Sequence, residues 1–468
     1  MKMKTIKSLK KLTLFLLALV VFTSCSNDDD GGPAPFVPTD SIVELAEATP
    51  QLSSLVTALK KYPDLVDLLS NDGTFTVFAP NNDAFAALLT TIGQTSIDDI
   101  PEDVLKSVLQ HHVYASAALA ESQVTSGSIT MAGGEMVDIV VNTNGVTAGN
   151  ATVISTDVIG TNGIVHIVDS VIVPPSMLPI VGTIVAPAYF NKNFTTLIAA
   201  VLAADPSVLD LLLSNGPSDN GLTLFAPTND AFAAAGITDV NGADSILAYH
   251  VIDGTVMQSM LPESGISAAE VPTVGGNIYI TNAGGAVSIN GTTTVTATDI
   301  TGSNGVVHVI DRTLIPPTKT INEIVADLAG GDPAEFTMLA AALGRAGLGD
   351  TFGTAGPFTV FAPVDAAFVA AGFADVDAIN AADPMTLASI LTHHVVEPNA
   401  YIFSTDLTDG MMAPMLNGQN VTIDLDNLTI QDAAGSATPA GLVTTLLNVH
   451  ATNGVVHVID KVLLPATE

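Results

Sequence analysis

The sequence predicts an α+β protein made of three copies of one domain. Two strings of residues recur three times in the same order, and a shorter histidine-valine motif lies between them in every copy. The first string is typical of a strand followed by a helix, and the second is typical of a buried strand. Apolar stripes at helical spacing open the first two copies. Each copy should therefore combine a sheet with helices.

Residues 1–24 have the pattern of a signal peptide. Five lysines precede an apolar stretch from about Leu12 to Phe22, which is roughly half of the ~20 residues that a membrane span needs. Small residues then precede Cys25, the only cysteine of the chain. This segment resembles the lipobox of bacterial lipoproteins, which implies that Cys25 becomes the lipidated first residue. The alternative is a secreted protein with an incidental cysteine.

Residues 25–37 are predicted to be a flexible acidic tether, because they are polar and rich in Gly and Pro. The string that begins Cys-Ser-Asn-Asp-Asp-Asp resembles the export signals of Bacteroidetes surface lipoproteins. That resemblance implies an outer-membrane lipoprotein of the cell envelope that is exposed at the cell surface.

Charge and cysteine content exclude several classes of protein. The chain has 13 basic and 47 acidic residues. Removing residues 1–24 deletes five lysines and no acidic residue, which leaves 8 basic against 47 acidic residues and a net charge of −39. Nucleic acid is therefore excluded as a partner, and a membrane should be reached through the lipid anchor only. One cysteine also excludes a disulfide framework.

The first repeated string predicts a strand, a break and a helix. It occupies residues 75–85, 222–232 and 358–368. Alternating β-branched and aromatic residues form the strand, and an Ala-Pro pair ends it. The position two after the proline can accept a hydrogen bond in every copy, so we predict it as the helix N-cap: Asn82, Asn229 and Asp365. Metal ligation by the carboxylates of this segment is the alternative.

The second repeated string predicts a turn and a strand that is buried on both faces. It occupies residues 162–169, 304–311 and 453–460, and each copy opens with Asn-Gly. Its histidines, which share a face with apolar neighbours, are His166, His308 and His457. We interpret them as core residues whose ring nitrogens bind backbone or hydroxyl groups. A zinc or copper ligand and a residue of a binding surface are the alternatives.

The shorter motif reads His111-His112-Val113, Tyr249-His250-Val251 and His393-His394-Val395. Only its second member is the same in all three copies. Neighbouring side chains on a strand point to opposite faces, and no HExxH helix or carboxylate triad accompanies the histidines. The sequence therefore predicts no metal site, no cofactor and no catalytic residue.

These three ordered motifs resemble those of fasciclin-type adhesion domains, and the resemblance covers nearly all of residues 40–464. It implies three tandem domains at residues 38–174, 179–316 and 317–464. Each would be a roughly seven-stranded β-sandwich or wedge flanked by several α-helices, without enzymatic activity. The family's tyrosine-histidine segment engages receptors in some relatives. By resemblance, the candidate partner-binding residues are Tyr249, His250, His112 and His394.

The expected function is that of a lipid-anchored surface protein. Three modules on one chain would make multivalent contact with extracellular matrix, a cell-surface protein or a polysaccharide. A divalent-cation module that collects calcium on the acidic surface is one alternative, and glycan capture is another. An exported hydrolase is the last alternative. The oligomeric state is left open by the sequence.

Overall fold

The computed structural model describes residues 37–261, 267–332, 334–354 and 356–466. The predicted signal peptide, Cys25 and nearly all of the predicted tether lie outside these ranges. Asp40–Glu468 form one compact unit. It contains three copies of one arrangement of helices and strands, which we call repeats 1, 2 and 3.

Repeat 1 combines helices with a seven-stranded sheet. Its helices are α1 (Ile42–Ala48), α2 (Ser53–Leu59), α3 (Pro63–Ser70), α4 (Asn82–Thr91) and α5 (Glu102–Gln110). Its strands are β1 (Phe75–Pro80), β2 (Val113–Tyr114), β3 (Gly127–Thr130), β4 (Met136–Asn142), β5 (Gly145–Ala148), β6 (Ala151–Gly160) and β7 (Gly163–Val168). The strand order is β2-β1-β7-β6-β5-β4-β3.

Repeat 2 has the same order of elements. Its helices are α6 (Ala186–Tyr189), α7 (Thr195–Ala203), α8 (Pro206–Leu213), α9 (Asn229–Ala234) and α10 (Asp244–Tyr249). Its strands are β8 (Leu222–Pro227), β9 (Val251–Asp253), β10 (Ala269–Thr273), β11 (Gly276–Ala283), β12 (Ala286–Ile289), β13 (Thr293–Gly302) and β14 (Gly305–Ile310). They form one sheet in the order β10-β11-β12-β13-β14-β8-β9.

Repeat 3 divides its seven strands between two sheets. Its helices are α11 (Ile321–Ala329), α12 (Thr337–Ala346), α13 (Thr351–Thr354), α14 (Asp365–Ala370), α15 (Val376–Ala381) and α16 (Pro384–Thr392). Its strands are β15 (Phe358–Pro363), β16 (Met412–Pro414), β17 (Asn420–Asp424), β18 (Thr429–Gln431), β19 (Ala440–Gly441), β20 (Val449–Ala451) and β21 (Gly454–Ile459). The sheet orders are β15-β21-β20 and β16-β17-β18-β19.

The two repeated strings form neighbouring parallel strands in every repeat. In repeat 1, β1 lies parallel to β7, with Phe78 opposite His166. Val77 belongs to the apolar cluster on the helical side, whereas Phe78 belongs to the cluster enclosed by the remaining strands. Both faces of β1 are therefore buried, which explains why the string is apolar at consecutive positions. The predicted α+β fold with about seven strands per domain is confirmed.

The helix after the first string begins one residue earlier than predicted. Its N-caps are the residues directly after each proline, Asn81, Thr228 and Val364. The side chains of Asn81 and Thr228 accept hydrogen bonds from the amides of Ala84 and Ala231, whereas Val364 makes no such bond. The N-cap role predicted for Asn82, Asn229 and Asp365 is wrong, because the residue after the proline already has the extended cap conformation.

Asn82, Asn229 and Asp365 instead cap a different helix. Each occupies the first position of its own helix, and its side chain reaches the start of α2, α7 or α12. The oxygens accept hydrogen bonds from the second amide of those helices, at 2.9 Å from Ser54, 2.9 Å from Thr196 and 2.8 Å from Met338. Free amides at a helix start need such acceptors. The repeated polar position therefore joins two helices in space.

No single helix in the described ranges is long and apolar enough to span a membrane. One bent pair, Lys192–Ala203 with Pro206–Leu213, passes by length and composition alone, with 119° between its parts. Several apolar side chains of this pair, including Leu197 and Leu212, are buried in the core of repeat 2.

Candidate functional site

The four predicted partner-binding side chains lie inside the protein. Tyr249 and His250 are each 1% exposed, and His112 and His394 are each 2% exposed. The first two residues of the motif are also not in a strand, since they lie at the C-terminal end of α5, α10 or α16. A partner that docks on the surface cannot touch these side chains. The expectation of direct contact through them is therefore corrected.

Each of the three equivalent histidines joins a helix end to a segment near the end of its repeat. Nδ1 of His112 donates a hydrogen bond to the carbonyl oxygen of Val108, at 2.7 Å, and Nε2 accepts one from the amide of Ile172, at 2.9 Å. His250 and His394 have the same two kinds of partner. A carbonyl can only accept, so these rings carry their proton on Nδ1. Burial lowers the pKa of all three to about 4.

The residue before this histidine differs among the repeats. The hydroxyl of Tyr249 donates to the carbonyl oxygen of Asn277 at 2.7 Å, and burial raises the pKa of Tyr249 to about 12. His111 and His393 take this place in repeats 1 and 3 and are also buried. Nε2 of His393 has no hydrogen-bond partner. The position is thus an internal one in every repeat.

The histidines of the second string are bound in the opposite orientation. Their Nε2 atoms donate to the carbonyl oxygens of Leu119, Val256 and Ile402 at 2.8–2.9 Å. Their Nδ1 atoms accept from the amides of Asp157, Asp299 and Asn448 at 3.3–3.4 Å. His166, His308 and His457 are each at most 1% exposed. With a backbone partner on both nitrogens, none of these rings is free to bind a metal or a ligand.

A buried threonine, which the sequence did not single out, holds the same loop as this histidine. In repeat 1 the hydroxyl of Thr76 donates to Ala117 and accepts from the amide of Leu119, whose carbonyl binds His166. Thr223 and Thr359 make the equivalent bonds. Threonine at the second position of all three first strings was the available signal. Its hydroxyl suits a loop with both a free carbonyl and a free amide.

The asparagine that opens the second string is a second polar group that sequence reasoning missed. Asn162 accepts a hydrogen bond from the amide of Ile42 and donates to the carbonyls of Leu69 and Asn71. Asn304 makes the same set of bonds in repeat 2. The Asn-Gly pair was interpreted only as a turn signal, but the side chain also joins the first helix to the end of the third.

No group of three or more His, Cys, Asp or Glu side chains in the described part of the chain could hold a metal ion. The recurrent polar residues are bound to backbone groups within their own repeats. The geometry therefore offers no cluster of a nucleophile, a base and an open pocket built from the repeated motifs. What remains available to a partner is the outer surface of the repeats.

The family comparison matches the repeats. The family model described as "Fasciclin domain" matches residues 50–174, 192–316 and 334–465. A solved structure of a FAS1 domain pair from the insect cell adhesion molecule fasciclin I is 20% identical, with a TM-score of 0.28, and the match covers 58% of this chain and 97% of that chain.

Several curated proteins are similar in sequence. The transforming growth factor-beta-induced protein ig-h3 of Sus scrofa is 27% identical over 434 residues, which are 91% of this chain and 57% of that protein. Periostin of Homo sapiens is 27% identical over 425 residues, 88% of this chain and 46% of that protein. The chain thus spans about half the length of these relatives.

A bacterial relative covers one part of the chain. The cell surface glycolipoprotein MPB83 of Mycobacterium bovis is 33% identical over 164 residues, 33% of this chain and 69% of that protein. Because the family model matches three segments that together cover most of the sequence, this chain belongs to the fasciclin domain family.

Proposed function

We propose that this chain is a lipid-anchored, non-enzymatic surface protein whose three fasciclin domains make multivalent contact with matrix, a cell surface or a polymer. The domain limits are those predicted from the sequence, 38–174, 179–316 and 317–464. The family assignment and the cell-surface relative support the proposal. The structure supports it with one observation about the outer face of the sheet.

In repeat 2 the outer face of β11 binds another domain. The rings of Tyr279 on β11 and Tyr401 of repeat 3 are stacked, with their centroids 3.9 Å apart. Two positions further on, the hydroxyl of Thr281 donates to a carboxylate oxygen of Asp406 at 2.6 Å. This sheet face is therefore a surface on which a fasciclin domain holds a protein partner within the same chain.

The same face of repeat 1 is uncovered. Asp138 on β4 occupies the same place as Tyr279 on β11. The carbonyl oxygen of Asp138 accepts a hydrogen bond from the amide of Gly149, and that of Tyr279 accepts one from the amide of Asn290, both at 2.8 Å. Gly149 and Asn290 each lie in the turn after the next strand. On either side of Asp138, Met136 and Val140 are 60% and 46% exposed. Alternate residues of a strand share one face. Repeat 1 thus leaves uncovered, with two exposed apolar side chains, the face that is occupied in repeat 2, and we assign partner binding to it.

Substitution on this face tests the assignment. The protein fragment of residues 25–468 would be applied to surfaces coated with fibroblast-deposited matrix, mucin or cellulose, and the attached protein would be measured. We expect the double variant Met136→Lys, Val140→Lys to lose at least tenfold in attachment to whichever coating the unaltered chain binds. Met385→Lys, at an 81% exposed methionine of repeat 3, is the matched control. Equal losses in the double variant and the control would contradict the assignment.

Multivalency and anchoring have separate tests. If several domains bind at once, apparent affinity should fall steeply when the coating is diluted, whereas single-site binding keeps one affinity at every density. Cys25→Ala in the full chain should release the protein from membranes into the medium, because lipid is the proposed anchor. Affinity that is independent of density would remove the multivalent mechanism and leave the anchor unaffected.

A further inference from the structure

The helical side of repeat 2 contains an open groove. It has a volume of about 700 Å³ and lies between α7, α8 and α10. Its walls are mainly aliphatic and include Leu197, Val201, Leu211 and Leu247. This volume is within the range of sites that bind small organic ligands. The groove is separate from the sheet face assigned to partner binding.

The equivalent place in repeat 1 is nearly filled. The cavity among α1, α2, α3 and α5 has a volume of about 40 Å³. In repeat 1 the residue directly before α3 is Tyr62, whose ring is buried and whose hydroxyl donates to the carbonyl oxygen of Glu102 at 2.7 Å. In repeat 2 the residue directly before α8 is Asp205. A short carboxylate thus replaces a ring, and the space between the helices stays open.

The rim of the groove is acidic. Asp205 is exposed and Asp244 is half-buried, and both line the groove. The amide of Asp205 donates to a carboxylate oxygen of Asp244 at 2.8 Å, so the two residues are adjacent. Hydrogen bonds from Ser207 lower the pKa of Asp205, which is therefore ionised at neutral pH. Neither carboxylate is in any of the four ion pairs of the described residues.

We propose that this groove binds an amphiphile with an apolar body and an ammonium end. The aliphatic walls would bury the apolar body, because removing apolar surface from water is favourable. The two carboxylates at the rim would bind the ammonium group and would repel the carboxylate of a fatty acid. The negative charge at the rim therefore favours amphiphiles with a cationic head group. It also keeps that head group at the protein surface while the apolar body lies in the groove.

Calorimetric titration of residues 25–468 below the critical micelle concentration tests the proposal. The probes are dodecylammonium, dodecanol and dodecanoate, which share one chain and differ in the head group. We expect dodecylammonium to bind with a stoichiometry of one, and dodecanoate to bind at least tenfold more weakly. Equal affinities for the two ions would overturn the proposed selection by charge.

Substitutions distinguish the contribution of the groove walls to binding from that of the acidic rim. Val201→Phe fills the groove and should abolish binding of all three probes, and Ala204→Phe serves if Val201→Phe does not fold. The double variant Asp205→Asn, Asp244→Asn keeps an acceptor at both positions. This double variant should lower the affinity for dodecylammonium about tenfold and leave the affinity for dodecanol unchanged. Asp64→Asn, Asp103→Asn in repeat 1 is the matched control for loss of two negative charges, and should change no affinity.

Two outcomes would overturn the assignment to this groove. One is dodecylammonium binding that survives Val201→Phe, which would indicate nonspecific attraction to the acidic surface. The other is binding to neutral phosphatidylcholine vesicles that is lost in Leu202→Asp and kept in Val201→Phe. Leu202 is 62% exposed on α7, so that result would assign the apolar helices to a membrane surface instead.

Discussion

The two junctions between the repeats differ in chemistry although the repeats share one fold. Between repeats 1 and 2 a single apolar cluster runs without a break, from Ile42 in α1 to Val307 in β14. Between repeats 2 and 3 the shared apolar cluster contains four buried residues in the described part of the chain, among them Tyr279 and Phe403. The first junction therefore resembles the interior of one domain, and the second resembles a small interface.

Polar contacts reinforce this difference. At the first junction the side-chain amide of Gln94 donates to the carbonyl of Pro187 and accepts from Asn191, at 3.0 and 3.1 Å. At the second, burial raises the pKa of Asp406, and Nδ1 of His450 is buried without a hydrogen-bond partner. The second junction thus contains a carboxyl with a raised pKa and an imidazole with a lowered pKa, both caused by burial. It should respond to pH, whereas the first should respond to apolar truncation.

Acid should have the largest effect on stability. Burial lowers the pKa of His112, His250, His394, His450 and His457 to about 4, from an ordinary 6.5. The unfolded chain therefore binds more protons below pH 6.5, and stability falls between pH 6.5 and 4. Each histidine contributes a loss on the order of 3 kcal/mol by pH 4.

Calorimetric scans at pH 7, 6 and 5 measure this loss. Repeat 3 should unfold first on acidification, because His450 adds to the loss at its junction. Asp406 acts in the opposite direction, since its raised pKa makes the folded state bind a proton more readily. His450→Phe should therefore reduce the pH dependence of the transition of repeat 3. A dependence that is unchanged in this variant would contradict the contribution of His450 at the junction.

Apolar truncation at the first junction should be the next largest effect. Ile180, in the segment between repeats 1 and 2, is 8% exposed and belongs to the shared cluster. Ile180→Ala should cost about 2–4 kcal/mol and lower the single transition in which both repeats unfold. Leu178→Ala is the control, because Leu178 is 52% exposed in the same segment. Separate unfolding of repeats 1 and 2 in the unaltered chain would show that the junction is not a shared core.

Loss of one hydroxyl should weaken the second junction. Thr281→Val removes the hydroxyl of repeat 2 that donates to the buried carboxyl of Asp406, at a cost of about 1–3 kcal/mol. Calorimetry should show a lower transition for repeat 3 alone. Thr294→Val, at an exposed threonine of β13, should change neither transition. A shift in both transitions with Thr281→Val would mean that repeats 2 and 3 unfold as one unit.

The capping contacts inside the repeats should have the smallest effect. Asn82→Ala removes the acceptor for the amide of Ser54, and Asp365→Ala removes the one for Met338. Each should cost about 1 kcal/mol. Asn82→Ala should lower the unfolding temperature of repeats 1 and 2, and Asp365→Ala should lower that of repeat 3. Asn144→Ala, at an exposed asparagine, is the control and should change neither. If one variant moved both transitions, the division into two unfolding units would be wrong.

The fold could be predicted from the sequence because each repeat marks the ends of its central strands with Ala-Pro and Asn-Gly. The strand before Ala-Pro and the strand after Asn-Gly lie where predicted, since proline and glycine act locally on the backbone. The N-cap was misplaced by one residue because we required the same chemistry in all copies. Val364 stands at the actual N-cap of repeat 3 and has no side-chain acceptor. Asp365 has an acceptor, but it binds the amide of Met338 in α12 and does not cap its own helix.

The contacts of the sites could not be predicted, because they depend on distant pairings. Nothing near Thr76 shows that its hydroxyl meets Leu119, and nothing near Asp205 shows that a ring occupies its place in repeat 1. The shorter motif was interpreted as strand, yet α5 continues to the residue before His111. A two-residue strand after a helix leaves too little periodicity to locate the boundary.

The repeated histidines hold elements of the protein interior together, and we assign recognition to the outer surface. Nitrogen NMR of the imidazoles in residues 25–468 tests the role of these histidines. We expect the rings of His112, His250, His394 and His457 to be neutral at pH 6, because burial lowers their pKa to about 4. The hydrogen bonds place the proton on Nδ1 in His112, His250 and His394 and on Nε2 in His457, and added zinc should change none of these signals. Titration of these four rings near pH 6.5, or a shift of their signals when zinc is added, would contradict an internal role.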